Sequence, residues 1–232
     1  MIVLVCESST LLGSVAIFKD SQLLAYKESL RQGSHADRLN LFIDDVLKEA
    51  NLQLSDIDLY VTGIGPGSFT GIRISLNTIK TFAYCYNKPV FAVNSLENIA
   101  WLCPEKTKPI VAMLNAYKNM VYIATYKKEN DQLITLKEPE VVRVQNLNDY
   151  ITENVTVVGD GFTTYSKYFD AKLTALISRD AAPEDDPKAS AAKHFVFQTT
   201  LKPIHWSALL PLYLRESEAE ENLKGIKFQA LS

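Results

Sequence analysis

A glycine-rich segment in the first third of the chain is the part of the sequence best suited to chemistry. It reads Gly65-Pro66-Gly67-Ser68-Phe69-Thr70-Gly71 and joins the apolar run Leu59–Ile64 to a long helix-like run. Glycines at the start of a helix let backbone N–H groups approach an anion, and serine and threonine hydroxyls add donors or cap the helix. The composition of this segment favours phosphate binding and a tight structural turn about equally.

Two familiar phosphate-binding loops are excluded by spacing. A P-loop ends in Gly-Lys-Ser or Gly-Lys-Thr, whereas this loop ends in Gly71-Ile72. A dinucleotide-binding loop has its glycines in a GxGxxG pattern, with an acidic residue about 20 positions later. Here the glycines follow a GxGxxxG pattern, and the later segment Val90–Val93 is apolar.

Two charged residues stand beside predicted turns. Glu7 ends the first predicted strand, where two-domain phosphotransferases of the actin and sugar-kinase class use an acidic residue to help hold a metal-bound nucleotide. Glu7 is therefore a candidate for a nucleotide-proximal residue, although acids at strand ends are commonplace. Arg73 falls in the first turn of a predicted helix, where a cation is electrostatically disfavoured. Its position indicates either an acidic partner on another chain or a solvated arginine.

The histidines form neither a metal site nor a catalytic set. His35, His194 and His205 are far apart, and no HxxxH or HExxH pattern occurs. So few histidines do not support a serine, histidine and aspartate arrangement. We therefore predict no metal ligand and no catalytic residue.

The elements that position these residues form a repeated pattern. Two stretches of the chain each contain three short β-like runs separated by turns, which is a β-meander. The first comprises Ile2–Cys6, Ser14–Phe18 and Gln22–Glu28, and the second comprises Pro109–Leu114, Met120–Tyr126 and Gln132–Leu136. This repetition predicts a duplicated α/β fold.

Two predicted helices follow the first meander. In Ala36–Ala50 the apolar residues recur at helical spacing, with Ser34 as the N-cap, but Leu41 points away from that stripe. Leu41 is either an ordinary exposed leucine or a contact for a partner helix. The helix Ile72–Tyr86 carries only two charged residues and is apolar on several faces, so another chain is expected to bury part of it.

Composition limits the classes of function. The chain has 232 residues, of which 47% are hydrophobic and 22% charged, with a formal net charge of -3. This balance argues against tight autonomous binding of nucleic acid and leaves a local basic patch open. The three cysteines suit neither a disulfide framework nor a zinc site, and no apolar run reaches the roughly 20 residues that span a bilayer. We therefore expect a cytoplasmic protein with reduced thiols and no membrane partner.

The motif GPGSFTGIR after a buried strand resembles the signature of the TsaB family. Other segments agree with the family in order and spacing, so the resemblance covers most of the chain: VLVCESSTLLGSVAIF, RQGSHADRLNLFIDDVL, KPVFAVNSLENIA, NMVYIATY, VVGDGF and PLYLRESEAEENL. It implies a duplicated ribonuclease-H-like, actin-like (ASKHA) α/β fold with two lobes, each a mixed β-sheet flanked by helices. We expect an N-terminal lobe with the partner-binding helices at residues 1–104 and a smaller C-terminal lobe at 105–204. A C-terminal segment at 205–232 packs back or is flexible.

The resemblance also implies a function. A protein of this family is a non-catalytic subunit that binds TsaD, and TsaD with the ATPase TsaE transfers threonylcarbamoyl to the adenosine beside the anticodon of tRNAs reading ANN codons. A homodimer is implied when TsaD is absent, with tRNA contacted only indirectly through the complex. No cofactor is expected on this chain alone, and ATP or ADP is expected at the interface with TsaD. TsaD carries two metal-binding histidines four residues apart, and the matching positions here are Ser95 and Ile99, neither of which can replace an imidazole.

The surface expected to meet the partner follows from the same resemblance. It comprises the loop Gly65–Gly71 with Arg73, and the helix residues Leu41, Ile74, Thr78 and Phe82.

The chain departs from the family pattern at three places. Glu7 stands where aspartate is common, and Ser75–Thr78 replaces a run of small residues. The first turn of the second meander reads Asn115-Ala116-Tyr117 instead of Asp-Ala-Arg, so two charges are absent there.

Two other functions fit parts of the sequence less well. A nucleotide-dependent phosphotransferase of the same fold would use Glu7 and the 65–71 loop, but only Gly159 and Gly161 are candidates for a second, adenosine-binding glycine loop. A glycoprotease-type peptidase would need a metal-binding HxxxH or a nucleophile–base set, and the sequence offers neither.

Overall fold

The computed structural model describes residues 1–30, 35–197 and 202–216 with the single positions Glu220 and Leu223, and for residues 35–37 it describes the backbone only. The chain divides into two compact units. Unit 1 comprises Met1–Asn98 and Asp186–Leu212, and unit 2 comprises Ile99–Asp185 and the chain from Tyr213 onward. This division differs from the boundaries expected at residues 104 and 204, because Asp186–Leu212 returns to unit 1.

Unit 1 is built on a five-stranded mixed sheet. Its strands are β1 (Ile2–Glu7), β2 (Leu12–Lys19), β3 (Gln22–Leu30), β4 (Leu59–Gly65) and β5 (Val90–Asn94). Their order in the sheet is β3-β2-β1-β4-β5. The first three strands pair antiparallel as the predicted meander, and β4 and β5 continue the sheet in parallel.

Two long helices cover one face of this sheet. They are α1 (His35–Ala50) and α2 (Phe69–Tyr86), and a third helix, α3 (Ser95–Leu102), follows β5. Alternate residues of β1 and β2 share one core cluster with the apolar stripes of both helices: Leu4, Cys6, Val15, Ile17, Leu39, Ile43, Val46, Leu76, Ile79 and Ala83. Each such side chain contributes roughly 1.5–3 kcal/mol by leaving water, so this shared core fixes both helices on unit 1.

Unit 2 repeats the sheet of unit 1. Its strands are β6 (Ile110–Asn115), β7 (Met120–Glu129), β8 (Gln132–Arg143), β9 (Val155–Val158) and β10 (Ile177–Ser178). In both sheets the central strand has an antiparallel hairpin on one side and two parallel strands on the other, since the order here is β10-β9-β6-β7-β8. The predicted duplicated α/β fold is confirmed.

The helices of unit 2 are much shorter than those of unit 1. They are α4 (Leu147–Tyr150), α5 (Asp160–Tyr165) and α6 (Ala171–Leu176). The returning segment of unit 1 adds a 3₁₀ turn at Ala189–Ala192 and a short helix, α7 (Lys193–Val196).

The structure extends or shortens some predicted elements. β8 runs seven residues beyond the predicted end at Leu136, through a charged stretch with Pro139. An edge strand tolerates charges and proline, and irregular pairing with β7 between Ile123 and Tyr126 accommodates them. The N-cap predicted at Ser34 lies outside the described residues.

None of the helices in the described part of the chain combines the length and apolarity needed to cross a bilayer.

Candidate functional site

The glycine-rich loop packs on the turn that follows β1. The backbone N–H of Ser68 donates to the carbonyl of Ser9 at 2.7 Å, and the Ser8 hydroxyl donates to the carbonyl of Gly71 at 2.8 Å. Ser68 is also the N-cap of α2, because its Oγ accepts from the N–H of Gly71 at 3.3 Å. The loop contains a cis peptide bond at Gly65-Pro66. Its Ser68 hydroxyl is therefore engaged in starting the helix.

Two glycines of the loop allow a close approach between two segments of backbone. A Cβ atom on Gly67 would lie 2.2 Å from the carbonyl oxygen of Ser9, and one on Gly71 would lie 1.9 Å from that of Ser8. Real Cβ atoms essentially never come so near, so no other residue fits without a shift of the backbone. This geometry supports the structural-turn interpretation of the motif, because the glycines serve packing within unit 1.

Glu7 lies at the end of β1, beneath the loop. Its side chain is only 1% exposed, and its Oε1 accepts from the N–H of Ser9 at 2.8 Å, while Oε2 lies 3.5 Å from the hydroxyl of Ser95. A Cβ on Gly63 would lie 1.9 Å from Glu7 Oε2, so glycine at that position makes room for the carboxylate. Burial raises the pKa of Glu7, and hydrogen bonds from Ser9, Ser8 and Ser95 partly oppose that rise.

The surroundings of Glu7 fit a structural acid better than a nucleotide ligand. A carboxylate that holds a metal-bound nucleotide has to present its oxygens to the ion. In this structure both oxygens of Glu7 are enclosed by the chain and lie against the turn, Gly63 and Ser95. Among the described residues, no group of three His, Cys, Asp or Glu side chains could hold a metal ion.

The two positions that match the metal-binding histidines of TsaD are both buried. Ser95 is completely buried and its hydroxyl faces Glu7. Ile99 is also completely buried, as part of the apolar core. Neither side chain presents a metal-binding atom to solvent.

The residues predicted to meet a partner lie on α1 and α2. Ile74, Thr78 and Phe82 recur every four residues along one flank of α2 and are half-buried, with the Phe82 ring 6.0 Å from that of Tyr60. Leu41 on α1 is 61% exposed. The described part of this chain therefore covers the flank Ile74–Thr78–Phe82 only in part and leaves Leu41 largely open.

Arg73 lies in the exposed first turn of α2. Its guanidinium carbon lies 5.8 Å from the centre of the Phe69 ring, a cation–π geometry. Phe69 and Thr70, which complete the predicted loop surface, are half-buried and exposed, respectively.

A hydrogen-bonded turn in unit 2 was not predicted from the sequence. The Asn115 amide oxygen accepts from the N–H of Tyr117 at 2.8 Å and from the Tyr165 hydroxyl at 3.0 Å, and its N–H donates to Asp160 at 2.8 Å. Arg215 donates to the carbonyl of Ala116. Asn115, where aspartate is common in the family, thus still anchors the turn. The Gly-Asp-Gly in VVGDGF was the sequence signal that could have located its partner.

The serines that hold the glycine-rich loop were not predicted from the sequence either. Ser8 and Ser9 follow β1 as part of a small polar run, Glu7–Thr10, which sequence analysis treated only as a turn. The glycine pattern at 65–71 could have indicated them, because closely spaced glycines often mark the approach of another backbone.

The chain is similar to known proteins over most of its length. A protein-family model described as TsaD, tRNA N6-adenosine threonylcarbamoyltransferase, matches residues 29–223. The chain is 27% identical to the tRNA threonylcarbamoyladenosine biosynthesis protein TsaB of Escherichia coli K12 over 241 residues, covering 97% of this chain and 99% of that protein. It is 28% identical to the Haemophilus influenzae protein of the same name, with 96% and 97% covered, and 23% identical to that of Bacillus subtilis, with 95% and 96% covered.

Solved structures share the fold. YeaZ from Pseudomonas aeruginosa superposes with a TM-score of 0.75 at 24% sequence identity, covering 92% of this chain and 99% of that one. A second structure, described as an uncharacterized protein from Pseudomonas aeruginosa with similarity to peptidase YeaZ, gives a TM-score of 0.77 at 23% identity with the same coverage.

Proposed function

The chain belongs to the TsaB family of tRNA threonylcarbamoyladenosine biosynthesis proteins, and on that basis we propose that it is the non-catalytic subunit that binds TsaD. In this proposal TsaD, with TsaE, transfers threonylcarbamoyl to the adenosine beside the anticodon of tRNAs reading ANN codons. This chain supplies a surface and no reacting group. A homodimer uses the same surface when TsaD is absent.

The incompletely covered flank of α2 is the observation that carries the proposal. Ile74, Thr78 and Phe82 form a mostly apolar stripe that the described part of the chain covers only in part, and the same described residues leave Leu41 on the neighbouring helix α1 largely open. When a second pair of helices removes apolar surface on two adjacent helices from water, the free energy of the complex is lowered. A related subunit with the same two helices presents a matching surface, which favours TsaD or a second copy of this chain.

The buried state of Ser95 and Ile99 supports a non-catalytic role. A metal at this place needs imidazole or carboxylate ligands, whereas these two positions offer a hydroxyl facing Glu7 and an aliphatic chain. Any catalytic group must then come from the partner.

Introducing a charge on each of the two helices tests the proposed interface. We expect Leu41→Glu and Ile74→Glu to lower the affinity for co-expressed TsaD of the same organism at least tenfold, because each carries a charge into an apolar contact. The matched control is Leu136→Glu, a leucine of similar exposure (48%) on β8 of unit 2. If both helix variants co-purify with TsaD as well as the control does, the interface is wrong.

Nucleoside analysis of tRNA tests the function itself. Depletion of this protein should lower threonylcarbamoyladenosine in tRNA, and wild type or Leu136→Glu should restore it, whereas Leu41→Glu should not. An unchanged amount of threonylcarbamoyladenosine after depletion would contradict the proposal.

A further inference from the structure

Three aromatic rings lie together on the surface of unit 1. Tyr84, near the end of α2, is 65% exposed, and its ring meets that of Trp206 edge-on at 5.2 Å. The His205 ring lies 5.1 Å from the same indole and is exposed. His205 accepts from the N–H of Ser207 through Nδ1, which fixes the orientation of its ring. Trp206 itself is half-buried and packs against the core of unit 1, so part of its ring lies at the surface between the exposed Tyr84 and His205. Side chains with this much aromatic area are more often buried, so a surface that carries all three is unusual.

The fold brings this trio together from two distant parts of the chain. The segment that carries His205 and Trp206 is held to β5 by an antiparallel bridge between Ile204 and Val90, with hydrogen bonds of 2.9 and 3.0 Å. It is held to α2 by Lys80, whose ammonium donates to the carbonyl of Leu209 at 3.0 Å. These hydrogen bonds therefore hold the segment that carries His205 and Trp206 against β5 on one side and α2 on the other.

Both segments exclude acidic residues. No Asp or Glu occurs from Leu59 through Leu96, a stretch with three cations that includes the whole of α2, and none occurs from Lys202 through Arg215. This absence is notable in a chain with 27 acids and a net charge of -3. The antiparallel bridge brings Lys88 towards the Trp206 side and Lys202 towards the other end of the segment. We call Tyr84, Lys88, Lys202, His205 and Trp206 the Trp206 patch.

Two acids in or just after an element that packs against α2 are engaged by backbone N–H groups. The 3₁₀ turn before β4 packs against α2, and the carboxylates of Asp56 and Asp58 accept from the backbone N–H groups of Gln53 and Ile2 at 2.8 and 2.7 Å.

The Trp206 patch is distinct from the proposed TsaD surface. Tyr84 is two residues from Phe82 and so points about 200° away from it around the helix. The two flanks of α2 therefore face different neighbours, with α1 on one side and the 206–208 turn on the other.

We propose that the Trp206 patch binds a single-stranded segment of RNA, with bases stacked on Tyr84 and Trp206 and phosphates next to Lys88 and Lys202. Single-stranded nucleic acid is bound by aromatic faces beside cations, a combination that accepts any base. This inference rests on the proposed function, which makes tRNA the RNA that the complex meets, and it adds a direct contact where only an indirect one was expected. The small number of cations fits a weak contact by this chain, which supplements stronger binding by a partner.

Tryptophan fluorescence offers a direct test, because Trp101 in unit 2 is the only other tryptophan. In a Trp101→Phe chain, an unmodified tRNA transcript should quench Trp206 both in the isolated chain and in its complex with TsaD. Tyr84→Ala should weaken tRNA binding by the complex roughly tenfold through loss of stacking. Lys88→Gln with Lys202→Gln should lower the salt dependence of log K by about 1 to 1.5.

Controls separate this proposal from the function on which it rests. Tyr117→Ala, an exposed tyrosine of unit 2, should leave tRNA binding unchanged. Leu41→Glu should abolish co-purification with TsaD and yet leave quenching in the isolated chain intact. A fully paired RNA hairpin should compete at least tenfold less well than the transcript.

Two results would overturn the proposal. One is a Trp206 emission that tRNA leaves unchanged, with unaltered affinity in Tyr84→Ala. The other is loss of TsaD co-purification in the patch variants while tRNA binding is kept, which would make the patch a protein interface.

Discussion

Each unit has a loop that joins a strand to a helix, and in both loops a glycine allows close packing against the backbone at or near the end of the central strand. The two loops differ in the helix that follows them. In unit 1 a Cβ on Gly71 would lie 1.9 Å from the carbonyl oxygen of Ser8, and in unit 2 a Cβ on Gly159 would lie 2.2 Å from that of Met113. Each loop follows the strand that runs parallel to the central strand of its sheet and crosses the end of that central strand. Glycine is therefore a requirement of the duplicated fold, and not by itself the mark of a phosphate site.

What differs is the helix that each loop begins. α2 has 18 residues and shares a core with α1, whereas α5 has six residues. A long helix has flanks beyond the stripe that packs on its own sheet, and on α2 these carry Phe82 on one side and Tyr84 on the other. Both proposed binding surfaces therefore include helices that are longer in unit 1 than in unit 2, on a framework that both units share.

Substituting one glycine in each loop gives the largest effect. Gly71→Ala places a methyl group against the Ser8 carbonyl, and Gly159→Ala adds the strain of a φ of +106° to a similar clash. We expect each to lower the free energy of unfolding of its own unit by roughly 3 kcal/mol. Trp206 reports on unit 1 and Trp101 on unit 2, so urea unfolding of single-tryptophan chains follows each unit separately.

A neighbouring substitution controls for general effects of mutation. Thr70→Ala changes an exposed residue in the same helical turn as Gly71 and should alter stability by less than about 0.5 kcal/mol. If each alanine variant lowers the free energy of unfolding by less than about 1 kcal/mol, the loops can relax around a Cβ. Glycine would then not be a requirement of the duplicated fold.

Two glutamates, one in each unit, are expected to change stability with pH in opposite directions. Burial raises the pKa of Glu7 in unit 1. In unit 2, the pKa of Glu105 is lowered to about 2, chiefly because its carboxylate accepts from the N–H and hydroxyl of Thr107. An unfolded glutamate has a pKa of about 4.3. The contribution of Glu7 is thus fully present below about pH 4 and lost as the pH rises, whereas that of Glu105 is present above about pH 4 and lost as the pH falls towards 2.

Replacing each glutamate with glutamine should remove its contribution to the change of stability with pH. Glu7→Gln should flatten the fall in unit 1 stability as pH rises, measured through Trp206, and leave the Trp101 curve unchanged. Glu105→Gln should flatten the fall in unit 2 stability as pH drops, measured through Trp101. If the slopes of both units keep the same sign in wild type and variants, the assignment of the two carboxyl groups is refuted.

The sequence predicted the framework well because its signals are local. Both meanders, the strand β4 and the helices α1 and α2 follow from short apolar runs or from apolar residues at helical spacing, and the strand pairing confirms the predicted duplication. Errors arose where tertiary context decides: β8 continues through charged residues and Pro139 because it is an edge strand.

The candidate site was predicted less completely because it depends on long-range contacts. The glycine loop was located correctly, but the serines it packs on lie some 60 residues earlier, and no local pattern joins them. Burial of Glu7 was equally hidden, since an acid at a strand end is exposed in most proteins, and only the absence of a side chain at Gly63 makes room for it. Trp206 escaped notice because its neighbour Tyr84 is over 100 residues away in sequence.

The smallest effect concerns the cap that only the unit 1 loop possesses. Ser68 Oγ accepts from the N–H of Gly71, whereas Gly159, the N-cap of α5, has no side chain to do so. Ser68→Ala should therefore cost about 1 kcal/mol in the free energy of unfolding reported by Trp206 and leave the Trp101 transition in place. Ser68→Asp should retain most of the stability, since aspartate caps equally well. Were Ser68→Ala neutral, packing of Gly67 and Gly71 on the Ser8–Ser9 turn would be sufficient to start α2, and the two loops would differ only in the length of the helix that follows.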